Sequence, residues 1–163
     1  MNKQTRFETW KHDIDHKARL RIPAPRLDYR PAEEPTLDFD EACLGFSLDT
    51  AREEASGCFQ CSEPHGCVLA CPFHNDIPTA MWEVSQGNFF EAAAILRETS
   101  DFPEFCDRLT SDECLCAGSC GVGKFHPDVR LGWLEALSLT SNVKLREAFT
   151  SLKSCRPRAS AWL

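Results

Sequence analysis

Seven of the ten cysteines in this chain fall into two tight groups. The first reads Cys58-x2-Cys61-x5-Cys67-x3-Cys71-Pro72, and the second reads Cys114-x-Cys116-x3-Cys120. Thiolates are soft ligands that select zinc and iron–sulfur clusters over hard cations. Cys58-x2-Cys61 alone is a standard zinc hook. Zinc ribbons, however, place their second Cys-x2-Cys pair at a distance. Here the third and fourth thiols follow within ten residues, and a Cys-Pro closes the run, as in runs whose last Cys ligates a second cluster. The spacing therefore favours iron–sulfur clusters, with zinc as the rival.

A [4Fe–4S] cluster takes four ligands, so seven grouped thiols fall one short of two sets. Two residues are candidates for the eighth position. Cys106 lies eight residues before Cys114, and Glu135 lies fifteen residues after Cys120 beside Trp133, Leu134 and Leu137. A Glu in such a setting is ordinarily helix surface, and only the ligand shortage singles it out. His65 and His74 flank the first group and read as exposed loop histidines before they read as ligands. Cys43 reads as a core residue and Cys155 as a free thiol.

Disulfides are the other use for so many cysteines, but they require an oxidising compartment. The start of the chain, Met1-Asn2-Lys3-Gln4-Thr5-Arg6, leads into no apolar signal core. No stretch approaches the ~18 apolar residues of a membrane span. A reducing cytoplasm is the expectation, and there grouped cysteines mean metal. The net charge of −7 is unevenly distributed: +4 over residues 1–31, −15 over 32–120 and +4 over 121–163. An acidic block around the cysteines disfavours nucleic acid. It suits docking to a basic patch on a redox partner, or is simply a solvated acidic surface.

The elements that must position these thiols are helical. Phe7, Trp10, Ile14 and Ala18 recur at helical spacing within residues 1–19. Pro23, Pro25, Pro31 and Pro35 make residues 20–36 an extended arm, lying on a partner or serving as a tether. A helix is expected from Asp38 to Ser56, with Cys43 in its core. Both cysteine groups fall in loops rich in Gly and Pro. Between them, Thr79–Gln86 is a helix entered through Pro78 and stopped by Gly87-Asn88. Phe89–Glu98 is another, with Phe90, Ala93, Ala94 and Leu96 as its apolar face and Pro103 ending the segment. Val129–Thr140 and Val143–Leu152 are further helices, and no stretch alternates as a strand. The organisation expected is an N-terminal helix and Pro-rich arm (1–36), a helical iron–sulfur domain (37–153) and a mobile basic tail (154–163). No G-x-G-x-x-G, P-loop or nucleophile–base pattern appears, so no catalytic residue is assigned.

The stretch from Cys58 to about Glu135 resembles the N-terminal iron–sulfur domain of the glutamate synthase small subunit and of dihydropyrimidine dehydrogenase. The matching phrases are Cys58-x2-Cys61, Cys67-x3-Cys71-Pro72, Asn75-x-Ile77-Pro78, Gly87-Asn88-Phe89-Phe90-Glu91-Ala92, Phe102-Pro103-Glu104-Phe105 and Cys116-Ala117-Gly118-Ser119-Cys120. The resemblance implies an all-α, ferredoxin-like domain holding two [4Fe–4S] clusters whose ligands interleave. One set would be Cys58, Cys61, Cys67 and Cys120. The other would be Cys71, Cys114, Cys116 and Glu135, with Cys106 as the alternative to Cys114. The loop from Cys61 to Cys67 is slightly longer than the family's, and Cys114 stands closer to Cys116.

In the family this domain continues into a flavin and NAD(P)H module, whereas the present sequence stops at Leu163. FAD is therefore expected on a partner subunit. The expected role is an electron-transfer subunit of a cytoplasmic oxidoreductase complex, working between an NAD(P)H-linked flavoprotein and a catalytic subunit. The rival role is an interaction subunit whose clusters are structural staples and whose arm and tail bridge larger partners.

Overall fold

The computed structural model describes residues 14–31, 42–61, 65–100, 103 and 115–139. The described residues form helix α1 (His16–Arg19), strands β1 (Asp28–Tyr29) and β2 (Cys43–Gly45), and helices α2 (Leu48–Ser56), α3 (Gly66–Ala70), α4 (Ile77–Gln86) and α5 (Phe89–Leu96). A 3-10 turn at Val122–Lys124 and helix α6 (residues 131–139) complete the order. The fold is helix-rich, with one antiparallel two-stranded ribbon and no closed barrel among the described residues. No helix is long and apolar enough to cross a membrane among those residues.

Local chemistry sets the helix boundaries. Ser47 caps α2 by accepting the Thr50 N–H at 3.2 Å, which satisfies an otherwise orphan donor. Pro78 sits in the first turn of α4, where its missing N–H costs nothing. Gly87 ends α4 in the left-handed region at φ 84°. Its N–H reaches the Val84 carbonyl, and the Asn88 N–H reaches Glu83 at 2.8 Å; this pair of bonds is the Schellman stop. Helix α5 begins two residues later, so α4 and α5 pack as a hairpin, and α2 packs against α4 as well.

The core is made of small residues where helices meet and branched ones between them. Ala51, Ala55, Ala80, Ala92 and Ala93 let the helix axes approach, while Ile77, Met81, Val84 and Leu96 fill the seam. Leu131, Leu134 and Leu139 bring α6 onto the same core. Fully burying each such side chain contributes roughly 1.5–3 kcal/mol.

Several sequence expectations change here. The helix expected from Asp38 starts only at Leu48. Cys43 lies on β2 instead of in a helix core, because Gly45 takes φ 77° and Ser47 supplies the cap. The ribbon was not legible because β1 is two residues long and cannot show alternation. The apolar face of α5 is Ala92, Ala93, Ile95 and Leu96; Phe90 is 48% exposed and Ala94 faces water with it. The described part of the arm packs on this chain itself. The segments 1–13, 32–41 and 140–163 lie outside the described residues, as do Cys106, Cys114 and Cys155.

Candidate metal centre

Helix α2 delivers the first thiol. Its last turn closes through Gly57 N–H to the Glu54 carbonyl at 2.9 Å and Cys58 N–H to the Ala55 carbonyl at 3.1 Å. The chain then turns at Gln60, whose φ of 50° is left-handed for a non-glycine residue. Such a conformation costs of order 1–3 kcal/mol and needs surrounding structure to hold it. That support is visible. The Gln60 side chain is buried, and Nε2 donates to the Pro78 carbonyl at 2.8 Å and to Cys58 Sγ at 3.5 Å. The Gln60 side chain thereby ties the first loop to the start of α4, and its backbone N–H is a second donor at the Cys58 sulfur.

Cys67 and Cys71 are set by α3, a five-residue helix where only a loop was expected. Cys67 lies inside it, and Cys71 follows it with its N–H bonded to the Cys67 carbonyl at 3.1 Å. His74, at φ 51°, is exposed with Nδ1 3.1 Å from the Val68 carbonyl; its ring serves the turn after Cys71. Asn75 is buried, and the Thr99 hydroxyl donates to its Oδ1, which anchors α4's entry to the end of α5. The Asn75-x-Ile77-Pro78 phrase is thus a mounting for the first loop.

The second loop is a series of tight turns. The Ser119 N–H meets Leu115 at 3.1 Å, Cys120 meets Ala117 at 2.9 Å and Gly123 meets Cys120 at 3.2 Å. Glycine permits the two loops to touch. A Cβ on Gly66 would lie 2.5 Å from the Ser119 carbonyl oxygen, and one on Gly121 would lie 2.9 Å from Cys61 Sγ. Both are closer than real Cβ contacts.

Cys58, Cys61, Cys67 and Cys120 are brought together across these loops. Cys58 and Cys67 each lie within electrostatic reach of the other three thiols, and Cys61 and Cys120 of each other. Burial pushes the Cys58 thiol up to about 12 and raises Cys67 and Cys61 as well. Backbone N–H groups oppose this: Gln60 at Cys58, Val68 at Cys67, Gly121 at Cys61. Without an inorganic cation, burial and the repulsion of neighbouring sulfurs keep the Cys58, Cys61 and Cys67 thiols in their neutral form. A bound metal centre reverses that logic and deprotonates its thiol ligands. No three His, Cys, Asp or Glu among the described residues close around a single ion. The donor set is soft, half-buried and met by N–H groups, which fits a multi-iron core held at its corners.

Of the second expected set, Cys71 and Cys116 are half-buried against the core and Glu135 is only 8% exposed on α6. Glu135 is therefore an interior residue and not helix surface, because it follows Leu134 on the side of α6 that meets the core. Cys114 lies outside the described residues. A hollow of about 340 Å³ opens beside the second loop, with Cys120, Ser119 and Lys124 in its wall.

Two braces escaped the sequence reading. Glu54 on α2 is 4% exposed, and its Oε1 accepts the Arg130 N–H at 2.9 Å. One carboxylate so caps α6 from the helix that delivers Cys58. Burial raises its pKa, and the Arg130 N–H works against that shift. The second brace is the N-terminal segment. Arg19 Nη1 donates to the Cys58 carbonyl, and His16 stacks on Phe59 with centroids 5.2 Å apart and planes 12° from parallel. No periodicity announces contacts made by single side chains across such separations.

Comparison with known proteins gives the family. The chain is 38% identical over 109 residues to the glutamate synthase [NADPH] small chain of Azospirillum brasilense, covering 66% of this chain and 22% of that one. It is 32% identical over 115 residues to the corresponding small chain of Escherichia coli, covering 71% and 24%. A third relative, named as an oxidoreductase, AegA of Escherichia coli, is 37% identical over 97 residues, covering 60% and 15%. The chain thus spans a quarter or less of the length of these relatives. Residues 36–146 match the family described as dihydropyrimidine dehydrogenase domain II, 4Fe-4S cluster, and with most of its length inside that match the chain belongs to this iron–sulfur family.

Proposed function

We propose that this chain is an electron-transfer subunit of a cytoplasmic oxidoreductase complex, passing electrons between an NAD(P)H-linked flavoprotein that carries FAD and a catalytic subunit. The observation that carries the reading is the convergence of four thiols from two loops remote in sequence. When bound, a [4Fe–4S] cluster supplies a one-electron carrier whose potential follows its hydrogen bonds, net charge and exposure. Residues 37–153 would form the cluster-bearing domain. Cys58, Cys61, Cys67 and Cys120 would hold one cluster. Cys71, Cys114, Cys116 and Glu135 would hold the second, with Cys106 standing in if Cys114 does not ligate. The interior position of Glu135 supports a carboxylate ligand there. Two relatives named as glutamate synthase [NADPH] small chains support the pyridine-nucleotide side. The open hollow beside Cys120 lets a partner's cofactor approach closely, and the acidic block favours a basic partner face.

Anaerobic purification tests this reading. The expected product is brown, with roughly eight irons per chain, four for each cluster, and a paramagnetic signal after dithionite. A colourless zinc protein would end it. The staple reading draws support from the glycine-lined contact of the two loops, since a core bridging them would lock the fold. Redox titration separates the roles: clusters that resist reduction at any accessible potential leave only the staple.

A further inference from the structure

The segment 14–31 does more than precede the domain. Arg19 and His16 both settle on the Cys58–Phe59 corner of the first loop, one by a hydrogen bond to a carbonyl and one by ring stacking. Downstream, Ile22 and Ala24 close on Gly57, Val122 and Pro127, leaving a gap of only about 10 Å³, barely the room of one water. The segment so spans the flanks of both cysteine loops. Its charge is opposite in sign to the domain it lies on: residues 14–31 carry +3, and the described residues between 42 and 100 carry −5. Arg19 is half-buried, so salt screens its charge only in part, and that charge lies within electrostatic reach of the Cys58 thiol.

Resting on the iron–sulfur reading above, we infer that Arg19 is a potential-setting residue and the segment 14–31 a redox-linked strap: its docked cation raises the reduction potential of a cluster held by Cys58, and reduction in turn tightens the docking. The sign follows from charge. A cluster that gains one electron becomes more negative, and a fixed cation beside one of its ligands stabilises that product. Net charge near the sulfurs is one of the levers on cluster potential. Reciprocity is obligatory: whatever factor docking adds to the reduction equilibrium, reduction adds to the docking equilibrium.

The test uses the full chain, loaded with iron and sulfide and titrated with dithionite under spectroscopic control. In Arg19→Gln, iron content is expected to stay at the wild-type level. One midpoint should fall by about 59 mV, the one-electron equivalent of a tenfold loss. Arg19→Lys keeps the cation and should recover most of the shift. An Arg19→Gln protein with full iron and an unmoved midpoint overturns the inference while leaving the electron-transfer reading intact. Absence of iron in the wild type sinks that reading instead. Amide exchange on the wild type gives an answer even if the variant does not load. Amides in residues 14–31 should exchange up to tenfold more slowly in the dithionite-reduced protein, and equal rates in both states refute the linkage.

Discussion

Glycine 66 and glycine 121 are the residues on which the centre depends most sharply, because each occupies a position where a single methyl group collides. Gly66→Ala would place carbon 2.5 Å from a backbone oxygen, which cannot swing aside. Gly121→Ala would press on Cys61 Sγ, a side-chain atom with some freedom. Overpacking of this kind costs typically 1–3 kcal/mol. The expected order of iron retained after anaerobic loading is wild type, then G121A, then G66A. Gln60→Ala removes both side-chain donors at Cys58 and Pro78, and thermal unfolding of the loaded protein should show a loss of about 1–3 kcal/mol. Glu54 gives the pH dependence. Its folded pKa is raised, so the stability it contributes is fullest below the ordinary carboxylate value and drains away as pH rises through the folded value. Glu54→Gln keeps an acceptor for Arg130 without the charge. Its Tm should gain on wild type between pH 5 and pH 8, and a gap that shrinks over that range would contradict the assignment.

Among the elements, α6 joins the common core and is tied at its start to α2, the helix that delivers Cys58. Leu134 is fully buried in the middle of α6, beside Glu135. Leu134→Ala should cost 2–5 kcal/mol as a core cavity, measurable by denaturant unfolding. If Glu135 is a ligand, the same change should disturb one cluster's paramagnetic signal more than the other's. Much at this scale was legible beforehand. The Pro78 entry and Gly87 stop of α4, the existence of α5 and the core of α6 follow from local signals that act within one or two turns. The ribbon was hidden because two paired residues leave no period to read. The start of α2 was misplaced because Phe39, Cys43 and Phe46 mimic helical spacing, while Gly45's positive φ decides the matter. Phe90 was placed inwards by hydrophobicity alone, although the run of alanines around it lets α5 bury its smaller face. That Cys58, Cys61, Cys67 and Cys120 belong together was legible through spacing and resemblance, and the fold brings these four near one another. Gln60, Glu54 and Arg19 were not, because each acts across a distance in sequence that only the folded chain closes.

For the molecule as a whole, the charge division and the two-loop centre govern behaviour. If the clusters staple both loops, chelation should remove much of the cooperative unfolding transition along with the colour. Circular dichroism before and after iron removal checks this, and an unchanged melting curve would assign the fold to the helices alone. If the proposed flavoprotein partner docks through a basic face, its association should weaken as salt rises. The contact between Gly66 and Ser119 has a consequence in time as well. On the ribosome these positions emerge roughly 3–10 s apart, at elongation rates of 5–20 residues per second. During that interval Cys58, Cys61, Cys67 and Cys71 have been synthesised without the loop that completes their site. A nascent chain thus carries four exposed thiols for several seconds before the loop they are to meet has been made.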